Sequence, residues 1–214
     1  RRNSMQRTYL MPQNIIKISE DELLKAACCN LSESFETNPS VDVNHNDAIT
    51  GTKQIEMLGL KSPYILITEE NIPMVRGASQ TFGLGFTPGT WIESIQVTKG
   101  MGSVTNGYES IVGQINTEIK KPFTDMPFFL NLFNSVDGRF EANAHIRSKV
   151  SEKMHNTLFI HYNDRKKSND KNGDEFLDKP VQEQLNLLSK WQYTDTSKGL
   201  VSFLNIRYLD DYKK

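Results

Sequence analysis

Residues 91–122, WIESIQVTKGMGSVTNGYESIVGQINTEIKKP, read as two alternating strands around a glycine-dotted centre. The alternation predicts one strand over 92–98 and a second over 111–120, with Ile92, Ile95, Val97, Ile111, Ile115 and Ile119 turned to a core. Gly100, Gly102, Gly107 and Gly113 suit tight turns and close backbone packing that side chains would block. Lys120–Lys121–Pro122 closes the hairpin, because proline cannot continue a ladder.

Upstream the period is mixed. SEDELLKAACCNLSESFETNP, residues 19–39, opens on a capping box from Ser19 to Glu22. Leu24, Ala27, Cys28, Leu31 and Phe35 then recur at helical spacing, so short helices are expected here. Residues 41–43, 53–58 and 63–69 are strand-like and are separated by Gly51, Gly59 and Pro63. Residues 74–90, MVRGASQTFGLGFTPGT, form a long loop rich in glycine, and a loop of that length in a compact domain is usually functional. Residues 1–8 are polar and basic and read as a linker. Together, residues 9–122 describe a small α+β domain.

After Pro122 the strands lengthen. In residues 139–150, Phe140, Ala142, Ala144, Ile146 and Val150 face one way, and Arg139, Glu141, Asn143, His145, Arg147 and Lys149 the other. Leu158, Ile160 and Tyr162, then Leu185, Leu187, Trp191 and Tyr193, then Leu200, Leu204, Ile206 and Tyr208 continue that pattern. Segments of ~10 residues, apolar on one face and polar on the other, are what transmembrane barrel strands require. Soluble sandwiches also alternate. Strand length and the aromatic strand ends favour a truncated antiparallel transmembrane β-barrel over 123–214.

Composition removes several classes. With 37% hydrophobic and 24% charged residues the chain suits compact domains, and a net charge of −1 gives no electrostatic case for nucleic acid. No apolar run reaches the length of a membrane-spanning helix, a test that is blind to barrels. Adjacent Cys28 and Cys29 lack the spacing of a zinc or redox pair and read as small apolar residues. His45, His145, His155 and His161 are scattered, with no nucleophile–base–orienter pattern, so no enzyme is expected. His145 and His161 sit on polar strand faces and read as lumen residues rather than metal ligands.

The order of these parts resembles a TonB-dependent outer-membrane receptor, entered at its plug and continued into its first barrel strands. Ile92–Glu93–Ser94–Ile95, Lys99–Gly100, Tyr108, Gly113, Ile115, Asn116 and Lys120–Lys121–Pro122 resemble the plug's closing hairpin. QIEMLGLKSPYILITEENIP, residues 54–73, resembles its central segment, and residues 18–43 its opening helices and first strand. Leu58 stands where the family usually has arginine, and Glu69–Glu70–Asn71 where it has Asp–Gly; with the double cysteine these variants resemble a divergent subfamily of the kind seen in Bacteroidetes-type bacteria.

The resemblance implies a barrel of ~22 strands in the outer membrane of a Gram-negative bacterium, occluded by the plug. It implies active uptake of a scarce ligand such as a siderophore, haem or another metal complex. Partners would be the TonB complex of the inner membrane, reached by a segment upstream of residue 1, and outer-membrane lipid. Ligand is expected at the plug apex, for which the loop tips offer Lys61, Ser62, Arg76, Gln80, Phe82 and Trp91. Arg76 suits an anionic chelate, while Phe82 and Trp91 offer faces for stacking or simply pack the loop. A glycan importer shares the same plug, whereas a soluble all-β binding module would lack it. No cofactor is required. Calcium is the one candidate, because Asp170, Asn172, Asp174 and Asp178 fall at calcium-loop positions one, three, five and nine. Glu175 replaces the turn glycine of such a loop and Val181 its bidentate glutamate.

Overall fold

A computed structural model describes residues 5–8, 14–19, 31, 33–35, 41–47, 52–81, 83–102, 109–136, 138–167, 170, 177 and 180–213. The chain forms two compact units, one of residues 1–47 and 52–119 and the other of 48–51 and 120–214. The strands are β1 (Met5–Thr8), β2 (Asn14–Ser19), β3 (Asp42–Asp47), β4 (Thr52–Met57), β5 (Leu60–Lys61), β6 (Ile65–Glu69), β7 (Ile72–Val75), β8 (Ile92–Lys99) and β9 (Gly113–Ile119) in the first unit. The second holds β10 (Phe128–Asn134), β11 (Arg139–Lys149), β12 (Met154–Arg165), β13 (Gln182–Asp195) and β14 (Leu200–Lys213).

In the first unit a six-stranded sheet runs in the order β1-β2-β8-β9-β6-β7, beside a three-stranded sheet β3-β4-β5. The hairpin β8–β9 sits at its centre. Ile92, Ile95, Val97, Ile115 and Ile119 are all at most 1% exposed, and a register shift between Ile92 and Ser94 lets Ile92 and Ile95, three apart, join one core. Ile111 departs from expectation at 52% exposed. Its N–H turns back to the Glu109 carbonyl at 2.8 Å, a tight local turn, and Val112 takes the inward place. β6 pairs with β9 in parallel, and its Ile65–Thr68 run is buried throughout, as a strand covered on both faces should be.

The stretch expected to be a linker supplies a strand: β1 pairs with β2, which in turn pairs with β8. The expected helices fall largely outside the described residues, as do Cys28 and Cys29. What is seen of that segment is a 3-10 turn at Glu33–Phe35, with Leu31 and Phe35 buried in the core beside Val41, Ile55 and Met57. Residues 74–90 are more ordered than a loop. β7 is followed by 3-10 turns at Gly77–Thr81, Gly83–Phe86 and Gly89–Trp91, and Leu84 is 1% exposed.

The second unit is an antiparallel meander, β10-β11-β12-β13-β14, with open edges. Its burial is inverted relative to a water-soluble sheet. Glu141, Asn143, His145, Thr157, His161, Asn186 and Lys190 are all at most 2% exposed. On the opposite face Phe128, Leu130, Leu132, Leu204, Ile206 and Tyr208 are more than half exposed. Contiguous exposed apolar surface of this kind marks a face meant for a partner or a lipid phase.

Candidate functional site: the plug loops and the polar strand face

The β4–β5 turn is built on Leu58 and Gly59, at φ of 51° and 78°, and the β6–β7 turn on Glu70 and Asn71, at 53° and 64°. Successive positive φ values define the hairpin turn that normally calls for Asn–Gly. The second turn is held by its neighbours. Glu70 N–H donates to the Thr117 carbonyl at 2.8 Å, and Asn71 N–H to Asn116 Oδ1 at 2.8 Å. Asn116 Oδ1 also accepts from Thr68 Oγ1 at 2.8 Å, so one buried amide ties β6, its turn and β9 together.

Gly113 starts β9 where a Cβ would lie 2.6 Å from the Thr98 carbonyl oxygen and 2.7 Å from Met57 Cε. Beyond β8 and β9 the hairpin continues through Gly100 N–H to the Val112 carbonyl at 2.7 Å and Gly102 N–H to the Ser110 carbonyl at 3.1 Å. Arg76, just after β7, reaches this extension: its guanidinium lies 2.7 Å from one Glu109 oxygen and donates to the other at 2.9 Å. That hydrogen bond, more than anything else, holds the Glu109 carboxyl below its ordinary range. Glu109 is a site residue the sequence does not announce, because its partner lies 33 positions away.

Of the six expected loop-tip residues, Lys61 and Arg76 are exposed and Gln80 and Trp91 are packed. Lys61 is exposed on β5 opposite Glu56, and Ser62 begins a 3-10 turn, so the hairpin turn itself is Leu58–Gly59. The Arg76 side chain is 45% exposed. Gln80 is buried, and Trp91, at 0% exposure, packs the interior rather than offering a stacking face. Phe82 lies outside the described residues. So do Asn172, Asp174 and Asp178, which leaves only Asp170 of the calcium set in view. No group of three or more His, Cys, Asp or Glu suited to a metal occurs among the described residues.

On the polar strand face, Glu141 accepts from Arg139 at 3.0 Å and from Asn143 at 2.8 Å. Asn143 Oδ1 lies 2.7 Å from His161 Nδ1, and Arg207 donates to Asn186 Oδ1 at 3.1 Å. A cross-strand network of this density on one face, with aliphatic side chains on the other, fits a sheet whose polar side faces a lumen.

The family model that matches is the TonB-dependent receptor plug domain, over residues 8–114. The chain belongs to the TonB-dependent receptor family. Members of this family are receptors rather than enzymes, and a soluble all-β module is set aside by the plug. The chain is similar in fold to the ferric-catecholate import receptor Fiu from E. coli K12, with TM-score 0.72 and 14% identity over 95% of this chain and 28% of that one. It is similar to the pyoverdine receptor FpvA of Pseudomonas aeruginosa, with TM-score 0.77 and 15% identity over 95% and 28%. The siderophore receptor PirA from Acinetobacter baumannii gives TM-score 0.69 and 17% identity over 93% and 32%. A search of curated proteins by sequence finds no match. The chain thus spans about 28–32% of the length of these solved receptors, and its antiparallel strands correspond to part of their barrels.

Proposed function

We propose that this chain is the plug and first barrel strands of an outer-membrane importer that takes up a scarce small ligand of the siderophore or metal-chelate class. The observation that carries this is the inverted burial of β10–β14 in a chain whose first unit is a TonB-dependent receptor plug. An apolar face of ~10-residue strands suits lipid, and a polar face suits a lumen that the plug occludes. The outer membrane holds no nucleotide, so work comes from the TonB complex through a segment upstream of residue 1. The fold neighbours named above are a ferric-catecholate import receptor, a pyoverdine receptor and a siderophore receptor, which is in keeping with that ligand class.

Within the plug, Lys61 on β5 and Arg76 just after β7 are exposed cations, and they suit an anionic chelate. Binding there would compete with Glu109 for Arg76, coupling ligand to the hairpin extension. We assign the connection 166–181 between β12 and β13 to the cell exterior, because the family resemblance implies that the chain leaves the plug on the periplasmic side, and each following strand reverses direction. The test is uptake of a panel of radiolabelled ferric siderophores, haem and cobalamin in a deletion strain complemented with the full-length gene. Uptake of a ferric siderophore that an uncoupler abolishes is expected. Uptake of none of the panel, or uptake indifferent to the uncoupler, contradicts the reading.

A further inference from the structure

The segment between the last plug strand and the first barrel strand, residues 120–127, belongs to the second unit, and its contacts form a set. It folds as a turn in which Thr124 and Asp125 N–H both donate to the Lys121 carbonyl, at 3.0 and 2.9 Å. From this segment, the Lys120 and Phe123 side chains and the Phe123 backbone together reach four strands. Lys120 Nζ lies 5.3 Å from the centre of the Phe129 ring on β10. The Phe123 carbonyl accepts from Arg147 on β11 at 3.4 Å, its N–H donates to Gln192 on β13 at 3.3 Å, and its ring meets His155 on β12 edge-on at 4.6 Å.

Asp125 is the buried element of the set. Its Oδ1 caps the Met126 N–H at 2.9 Å, and its Oδ2 lies 3.7 Å from His145 Nδ1, both side chains being at most 2% exposed. The His145 ring is held between Phe129, at 4.7 Å, and Phe159, at 4.8 Å. Neither ring nitrogen of His145 nor Asp125 Oδ2 has a hydrogen-bond partner among the described residues. The carboxylate and the imidazole thus face each other inside the sheet's polar side, each fixed by its own neighbours: the Met126 N–H for Asp125 and the two phenylalanine rings for His145.

We infer that residues 120–127 are a fixed anchor, stapled across the polar face of β10–β13, and that force-driven rearrangement of the plug ends at the Ile119–Lys120 junction. This rests on the importer reading, since it supposes a plug that is moved while the strands stay. Phe123 and the Asp125–His145 pair are the positioning residues. Freed of them, the connector would peel away from the wall and let the plug's displacement run into β10.

The test uses the full-length receptor, made cysteine-free and reconstituted in lipid vesicles, with a nitroxide at Thr124→Cys or at Met101→Cys; both positions are exposed. In a urea titration the Met101 label should gain mobility first, while the Thr124 label stays restricted until the strands unfold. Phe123→Ala with His145→Ala should bring the Thr124 midpoint down to that of the Met101 label and leave the latter unchanged. If the double variant does not assemble, the milder Asp125→Asn should shift the Thr124 midpoint part of the way. The inference is overturned if the two labels mobilise together in the otherwise unaltered protein, or if none of these variants moves the Thr124 midpoint. Failure of the underlying reading looks different: the protein would not insert, and no heat-modifiable barrel would form.

Discussion

Leu58 holds a left-handed φ of 51° while 66% exposed, so it bears backbone strain with little burial in return. Such a conformation costs an ordinary side chain roughly 1–2 kcal/mol. Leu58→Asn should therefore stabilise the plug by about 0.5–1 kcal/mol, read as a higher urea midpoint for its unfolding. Gly113→Ala should do the reverse. Its Cβ would meet a backbone oxygen at 2.6 Å, which cannot move aside as a side-chain tip can, so a loss of about 1–3 kcal/mol is expected. Arg76 and Glu109 make a pH-dependent pair. The Glu109 carboxyl is lowered from 4.5 chiefly by the Arg76 hydrogen bond, so the stability it adds is full above that value and is lost as pH falls through the lowered one. Plug stability should drop on acidification below about pH 4.5 in the wild type and drop less in Arg76→Ala. The cost of that variant at neutral pH is about 1 kcal/mol, since the guanidinium is half in water. Gly59 and Gly100 are legible in the sequence because a positive φ favours glycine, and Asn116 because it stands in a stretch that resembles the plug's closing hairpin. The Arg76–Glu109 pair is not, because only the folded chain brings β7 to the hairpin extension.

At the scale of elements, strand periodicity carries the reading well where one face is buried and the other is not. β11, β12 and β13 place Ala142, Ile160 and Leu187 opposite Asn143, His161 and Asn186, in the alternation the residues display. It fails where pairing rather than pattern makes the strand. β1, MQRT, carries no alternation and is strand because β2 offers it an edge. The 3-10 turns of residues 77–91 are likewise invisible to periodicity, since what fixes Gly83 there is its close approach to Val75, a contact made only in the fold. Lipid exposure of the apolar face is testable on β14. Ile206→Arg, in a row more than half exposed, should cost about 2–4 kcal/mol near the bilayer midplane and reduce the heat-modifiable fraction of full-length protein. Asn205→Ser, on the opposite face of the same strand, should leave it unchanged. Equal tolerance of both would mean that the apolar face does not meet lipid.

For the whole molecule, five antiparallel strands with open edges are fewer than the ~8 of the smallest closed barrel, so residues 1–214 alone should give no channel conductance in a planar bilayer. The central claim concerns the full-length receptor: a plug followed by strands that cross the outer membrane, with the connection 166–181 outside. Asn169→Cys in the cysteine-free protein, treated on intact cells with a membrane-impermeant maleimide, tests it most directly. Labelling of intact cells is expected, undiminished relative to cells whose outer membrane has been disrupted. Labelling only after disruption would contradict the strand order across the membrane, and recovery of the protein in the soluble fraction would contradict the receptor itself.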